Sequence, residues 1–158
     1  MQEYVDGESH LILDDRLAPI MVSTWDGPAS LANVRRFQDW AEAAAEQATG
    51  QGRPAIFVTN VLSAGIPTTE VRKAFSDRVL TTDFRNYVIV TSSVVRGAMT
   101  AVRWLMGDGF HVTPCKSLDE GLTLAASFAR EHGLVTPPRT VLDDYRRDAR
   151  TVDITVGL

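Results

Sequence analysis

The chain has 158 residues, 44% of them hydrophobic and 23% charged, and carries a formal net charge of −4. That balance suits one globular domain with a buried core and excludes wholesale disorder. A net negative chain whose arginines (Arg35, Arg36, Arg72, Arg96, Arg103) are scattered lacks the basic stripe of a nucleic-acid binder. The lone Cys115 cannot form an internal disulfide, so a reducing, cytoplasmic setting is expected. The first ten residues are acidic and polar, unlike a secretory signal. No apolar run approaches the roughly 18 residues of a membrane span.

Two extended segments are predicted first: a short apolar one at Leu11 to Leu13, and a longer one from Pro19 to Trp25. The short polar connector Asp14-Asp15-Arg16 makes them an antiparallel hairpin. Asp26-Gly27-Pro28 is a turn and helix-start signal. Leu31, Val34, Phe37, Ala41, Ala44 and Ala48 then recur at helical spacing, and Gly50 and Gly52 stop that helix. Ile56-Phe57-Val58 is apolar on consecutive positions and reads as a central strand. It runs into a polar loop holding Asn60, Ser63 and Gly65. A second helix is predicted from Thr68 to about Leu80, then a strand at Tyr87 to Val90. A third helix carries Val95, Met99, Val102, Leu105 and Met106, and Gly107 and Gly109 end it. Phe110 to Thr113 is a short edge strand, because Pro114 follows. Ser117-Leu118-Asp119-Glu120 is a capping box that opens the last helix, and Gly133 closes it. After the breaker Thr136-Pro137-Pro138, residues 136–158 read as a partly ordered C-terminal appendage to a domain of residues 1–135. Within that appendage, Thr151 to Val156 alternates polar and apolar residues, as a strand would.

This order predicts an α/β domain: a mixed β-sheet of about five strands with a leading β-hairpin, covered by about four helices. It resembles the STAS domain, the fold of anti-sigma factor antagonists, over residues 8 to about 133. The resemblance rests on element order and on Lys116-Ser117-Leu118-Asp119-Glu120-Gly121-Leu122, which looks like the start of the last STAS helix. The stretch from Arg96 to Leu105 is similar to small bacterial STAS-like or SpoIIAA-like proteins. In the antagonist branch, a serine in an Asp-Ser-Ser-Gly motif at the start of the second helix is phosphorylated by a partner kinase. Laid on this chain, the motif falls on Pro67-Thr68-Thr69-Glu70, so the resemblance implies Thr69 as phosphoacceptor. Pro67 replaces the Asp and Glu70 the Gly, and a phosphate on Thr69 would meet the Glu70 carboxylate.

Ligands and switches in α/β sheets gather where strands end and helices begin. The candidate partner- or ligand-binding residues are therefore Asn60, Ser63, Thr68 and Thr69 in one loop, and Thr91, Ser92 and Arg96 in the next. Thr is also an ordinary helix cap, and Arg96 has the donors to clamp a carboxylate or phosphate. A nucleophilic Cys115 would need its pKa lowered, by His111 or by the helix start after it. His10, His111 and His132 sit on separate elements without metal-ligand spacing. Asp14-Asp15 resembles the acidic pair of receiver domains, but a strand follows it and Asn60 stands where the phosphoacceptor Asp would be.

The reading is a cytoplasmic, non-enzymatic regulatory module without cofactor. It would bind a protein partner, a regulator or a kinase-like protein, through the strand-end loops and the second helix. A homodimer is compatible with it. Small-ligand binding, nucleotide or lipid, is the alternative; an enzyme using Cys115 is the third.

Overall fold

A computed structural model describes residues 1–78, 82–90 and 111–145. The predicted third helix, with Thr91, Ser92 and Arg96 about its start, and the alternating run at 151–156 lie outside the described residues.

The described strands form a six-stranded sheet in the order β1-β2-β3-β4-β5-β6. They are β1 (Gln2–Asp6), β2 (Ser9–Asp14), β3 (Ile20–Asp26), β4 (Ala55–Val61), β5 (Phe84–Val90) and β6 (Val112–Cys115). The first two pairings are antiparallel and the other three parallel. The expected fold class holds: a mixed sheet that opens on a hairpin, with helices laid against it. The sheet has one strand more than expected, because Gln2–Asp6 also pairs. A two-residue turn, with Gly7 at φ 61, joins it to β2.

Helix α1 (Leu31–Gly50) starts one turn later than Asp26-Gly27-Pro28 suggested. Its cap is Ser30, whose hydroxyl accepts from the Asn33 N–H. The α1 side of the sheet holds Ala41, Ala45 and Ala48 against Ala55, Phe57 and Phe84. Small alanines let the helix approach, and the aromatics fill the volume left: Trp25, Phe37, Trp40, Phe57 and Phe84 follow one another at centroid spacings of 5.5–6.4 Å. Trp25 and Trp40 are thus core and core margin.

The opposite side is covered by α3 (Leu118–Glu131), which sets Leu122, Ala125 and Ala129 on Ile20, Val58 and Ile89. Gly121 permits the approach, since a Cβ there would stand 3.0 Å from Ile89 Cδ1. The predicted capping box forms: Ser117 Oγ accepts from the Glu120 N–H at 3.1 Å. The Glu120 carboxylate reaches back to Lys116 N at 2.6 Å, one residue before the cap. Gly133 takes the left-handed conformation that ends the helix, at φ 69.

Residues 139–145 are helical, and Leu142 belongs to the same core as Leu122, with Tyr145 packed on it. An ion pair built on a buried carboxylate anchors that segment. Asp14 is only 1% exposed and receives Arg16 Nε at 3.0 Å and Nη2 at 2.7 Å. Arg16 in turn lies over the Tyr145 ring, 5.8 Å from its centroid. Burial pushes the Asp14 carboxyl up, but the Arg16 bonds outweigh it and hold the group below its ordinary value. Burial, then the Asp14 charge, raises the Tyr145 phenol. Asp14-Asp15 is therefore structural: Asp14 serves this pair, and Asp15 accepts the Met1 amine at 3.3 Å.

A carboxylate held below its unfolded pKa of about 3.9 stabilises the fold above that pH and ceases to as pH falls through the folded value. Asp14→Asn should cost about 1–3 kcal/mol in urea unfolding at pH 7. The gap from wild type should narrow as the pH falls below about 3.9 and close once it has passed through the lowered folded value, where both side chains are neutral.

Candidate functional site

Parallel pairing sets Trp25 opposite Val61 and Val61 opposite Val90. Strands β3, β4 and β5 therefore end level, and the chain leaves all three at one rim. The β1–β2 turn reaches the same rim, because His10 pairs with Asp26. Thr91, Ser92 and Arg96 follow β5 in sequence but lie outside the described residues.

Gly27 is the junction of this rim. Its φ of 81 suits glycine, and a Cβ there would lie 2.0 Å from the Glu8 carbonyl oxygen. Its N–H donates to Ser63 Oγ at 2.7 Å. The Ser63 hydroxyl donates in turn to Asp26 Oδ1 at 2.5 Å. Leu62 N–H donates to the Trp25 carbonyl at 2.8 Å. The loop after β4 is thus buttoned to the end of β3 by Ser63, one of the predicted residues. A second buttress stands beside it: Ser9 Oγ accepts from Ser30 N at 3.2 Å and from Asn33 Nδ2 at 3.0 Å. Gly27, Asp26, Ser9 and Asn33 were missed as site residues. The Asp-Gly at 6–7 and the Gly at 27 were the only sequence signals for this junction.

Asn60 is not in the loop where it was expected. β4 runs through it to Val61, leaving it 7% exposed. Strand alternation places it on the α3 side with Val58 and Ile56, whereas Thr68 and Thr69 lead into a helix on the α1 side.

Helix α2 (Thr69–Asp77) begins where predicted and ends at Asp77, short of Leu80. Thr68 is its cap, its hydroxyl accepting from Val71 N–H at 3.3 Å. Thr69 is exposed in the first turn, and its hydroxyl accepts from Arg72 Nη2 at 3.2 Å. Val71 is the one residue of the helix that is buried. The far end is clamped to α1: Gln38 Nε2 donates to the Ala74 carbonyl at 2.7 Å, and Arg78 binds Asp39 at 2.7 Å and Glu42. Ala74 is half-buried against the same cluster as Val71; the other side chains of the helix face outward, including Phe75 at 40% exposure, and Ile66 just before the helix is 90% exposed.

Cys115 is the last residue of β6, 3% exposed, with Sγ 3.6 Å from the Thr113 carbonyl. Burial, with some help from the Glu120 charge, pushes its thiol up to about 11. That is the environment of a core thiol, not of a nucleophile. His10 is engaged with Glu3 at 2.7 Å, and His132 Nδ1 lies 2.9 Å from the Phe128 carbonyl. No group of three or more His, Cys, Asp or Glu among the described residues could hold a metal ion. No helix among them is long and apolar enough to cross a membrane.

Neither a protein-family model nor a curated protein matches the sequence. Among solved structures, the chain is similar to the crystal structure of an anti-sigma factor antagonist from Mycobacterium paratuberculosis. The identity is 12% and the TM-score 0.45, over 78% of this chain and 99% of that one.

Gly27→Ala should destabilise the fold by about 2–4 kcal/mol, because left-handed strain and a backbone collision coincide; differential scanning calorimetry measures it. Cys115 should resist iodoacetamide at pH 7.5 in the folded protein and react promptly in urea, as followed by intact mass.

Proposed function

We propose that the protein is a non-enzymatic regulatory module that docks a protein partner on α2 and the loop over residues 61–68. The observation that carries this reading is the exposure of Ile66 and Phe75, at 90% and 40%, on either side of Thr69. Large apolar side chains held outward on a braced scaffold are the usual make-up of an interface core. The scaffold is braced here at both ends. Ser63 holds the loop, and Arg78 with Gln38 holds the helix. A partner would find the surface ready-made and lose little ordering entropy on binding.

Thr69 is the hydroxyl through which such docking could be switched. It stands exposed in the first turn of α2, where backbone N–H groups favour a phosphate and Arg72 supplies a cation. The adjacent Glu70 carboxylate opposes it, so the charge would act on the partner rather than lock the helix. The switch itself rests on the docking reading.

A photo-crosslinking amino acid at Ile66 or Phe75 tests the docking. Val135, 89% exposed and far along the chain, is the control position. In cells of the native host, positions 66 and 75 should give the same discrete protein adduct, and position 135 should not. Ile66→Asp with Phe75→Asp should weaken capture of that protein at least tenfold while leaving Tm within a few degrees. Equal labelling at all three positions would end the reading.

A further inference from the structure

Among the described residues, the two outer strands of the sheet differ in how they are protected. β6 is four residues long and contains Pro114, which has no N–H to offer a neighbour. β1 is five residues long, Gln2-Glu3-Tyr4-Val5-Asp6, with no proline, glycine or lysine. Its start is fixed by the Met1 amine on Asp15, and its end by the turn at Gly7. Tyr4 at its centre is pinned by Arg36, 4.7 Å over its ring, while Val5 is 70% exposed. Among the described residues the strand is therefore an ordered edge with no neighbour beyond it.

We propose that β1 is a self-association edge that pairs antiparallel with β1 of a second copy, about a two-fold axis at Tyr4. The hairpin decides which backbone groups are free. Asp6 and Ser9 close a two-residue turn, so that pair exchanges hydrogen bonds and the pairs alternate outward from it. Gln2, Tyr4 and Asp6 then face β2, and Glu3 and Val5 turn their N–H and C=O groups outward. A two-fold axis at Tyr4 sets Glu3 opposite the partner's Val5, so the two outward-facing residues meet as a hydrogen-bonded pair, twice over. The same register sets Asp6 opposite the partner's Gln2. Neither carboxylate faces another directly, and the two tyrosines face each other as an aromatic pair, which is favourable across strands. The Glu3 carboxylate is also held by its own His10 at 2.7 Å, turned back towards β2. The partner that fits this edge, by charge and by hydrogen bonding, is another copy of itself. The six-stranded sheet would continue through the axis. A five-residue strand gives a small interface, so a dissociation constant on the order of 100 μM is expected.

Sedimentation equilibrium over about 10 μM to 1 mM tests it. Wild type should pass from one chain to two across that range. Val5→Pro removes an outward donor and no β2 bond, so it should weaken dimerisation at least tenfold with little loss of Tm. Val5→Glu sets like charges opposite Glu3 and should do the same; Val5→Ile should dimerise as wild type does. Should Val5→Pro unfold, Val5→Glu decides. A wild type that stays monomeric at 1 mM, or a Val5→Glu that dimerises normally, would overturn the proposal. The docking face on α2 is untouched by these changes, so either idea can fail alone.

Discussion

The absent side chain at Gly27 is the constraint on which the rim depends. The Glu8 carbonyl occupies the space a Cβ would take, so the hairpin turn can rest directly on the end of β3. From the same residue an N–H reaches Ser63 and draws in the loop that follows β4. One small residue therefore brings together three segments separated by tens of positions. Gly27 does so with its own backbone, against the Glu8 carbonyl on one side and the Ser63 hydroxyl on the other. The exposed loop and α2 inherit their position from this junction, and the apolar residues they carry are displayed rather than folded away.

The core explains why such a display is affordable. Two unlike layers sandwich the sheet: an alanine-rich helix backed by aromatics on one side, and α3 with the segment 139–145 on the other. Together they bury the central strands β3, β4 and β5 on both faces. Stability of that kind leans little on α2, which contributes Val71 to the core, lays Ala74 against it and is otherwise held to α1 by polar contacts. An element on which the core leans so little is available for recognition.

Much of this was legible in the sequence, and the failures have physical causes. Periodicity found α1, and the capping box found the start of α3 to the residue. Consecutive apolar positions marked β4 and β5 as central, since strands covered on both faces lose their alternation. β1 was missed because Gln2-Glu3-Tyr4-Val5-Asp6 is an exposed edge, so no burial pattern marks it. Asn60 reads as a loop residue because a polar side chain after Phe57-Val58 resembles a strand end, yet the ladder runs through it to Val61. The Asp14-Asp15 pair had the composition of a reactive site, and only three dimensions showed Arg16 and Tyr145 engaging it. The junction at Gly27 was illegible for a different reason: a close approach between distant backbones leaves no trace beyond a glycine.

The centre of the sheet carries a short relay of hydroxyls under α1. Ser23 Oγ donates to Thr59 Oγ1 at 3.3 Å, and the Thr59 hydroxyl donates in turn to Asn86 Oδ1 at 3.0 Å. Because successive residues of a strand face opposite ways, sliding β4 by a single position would swing Thr59 to the other layer and strand both neighbours without a mate. Hydrocarbon tolerates small offsets; this chain of three does not. It works as a key cut for one alignment, the alignment in which the three strands run out at the same height.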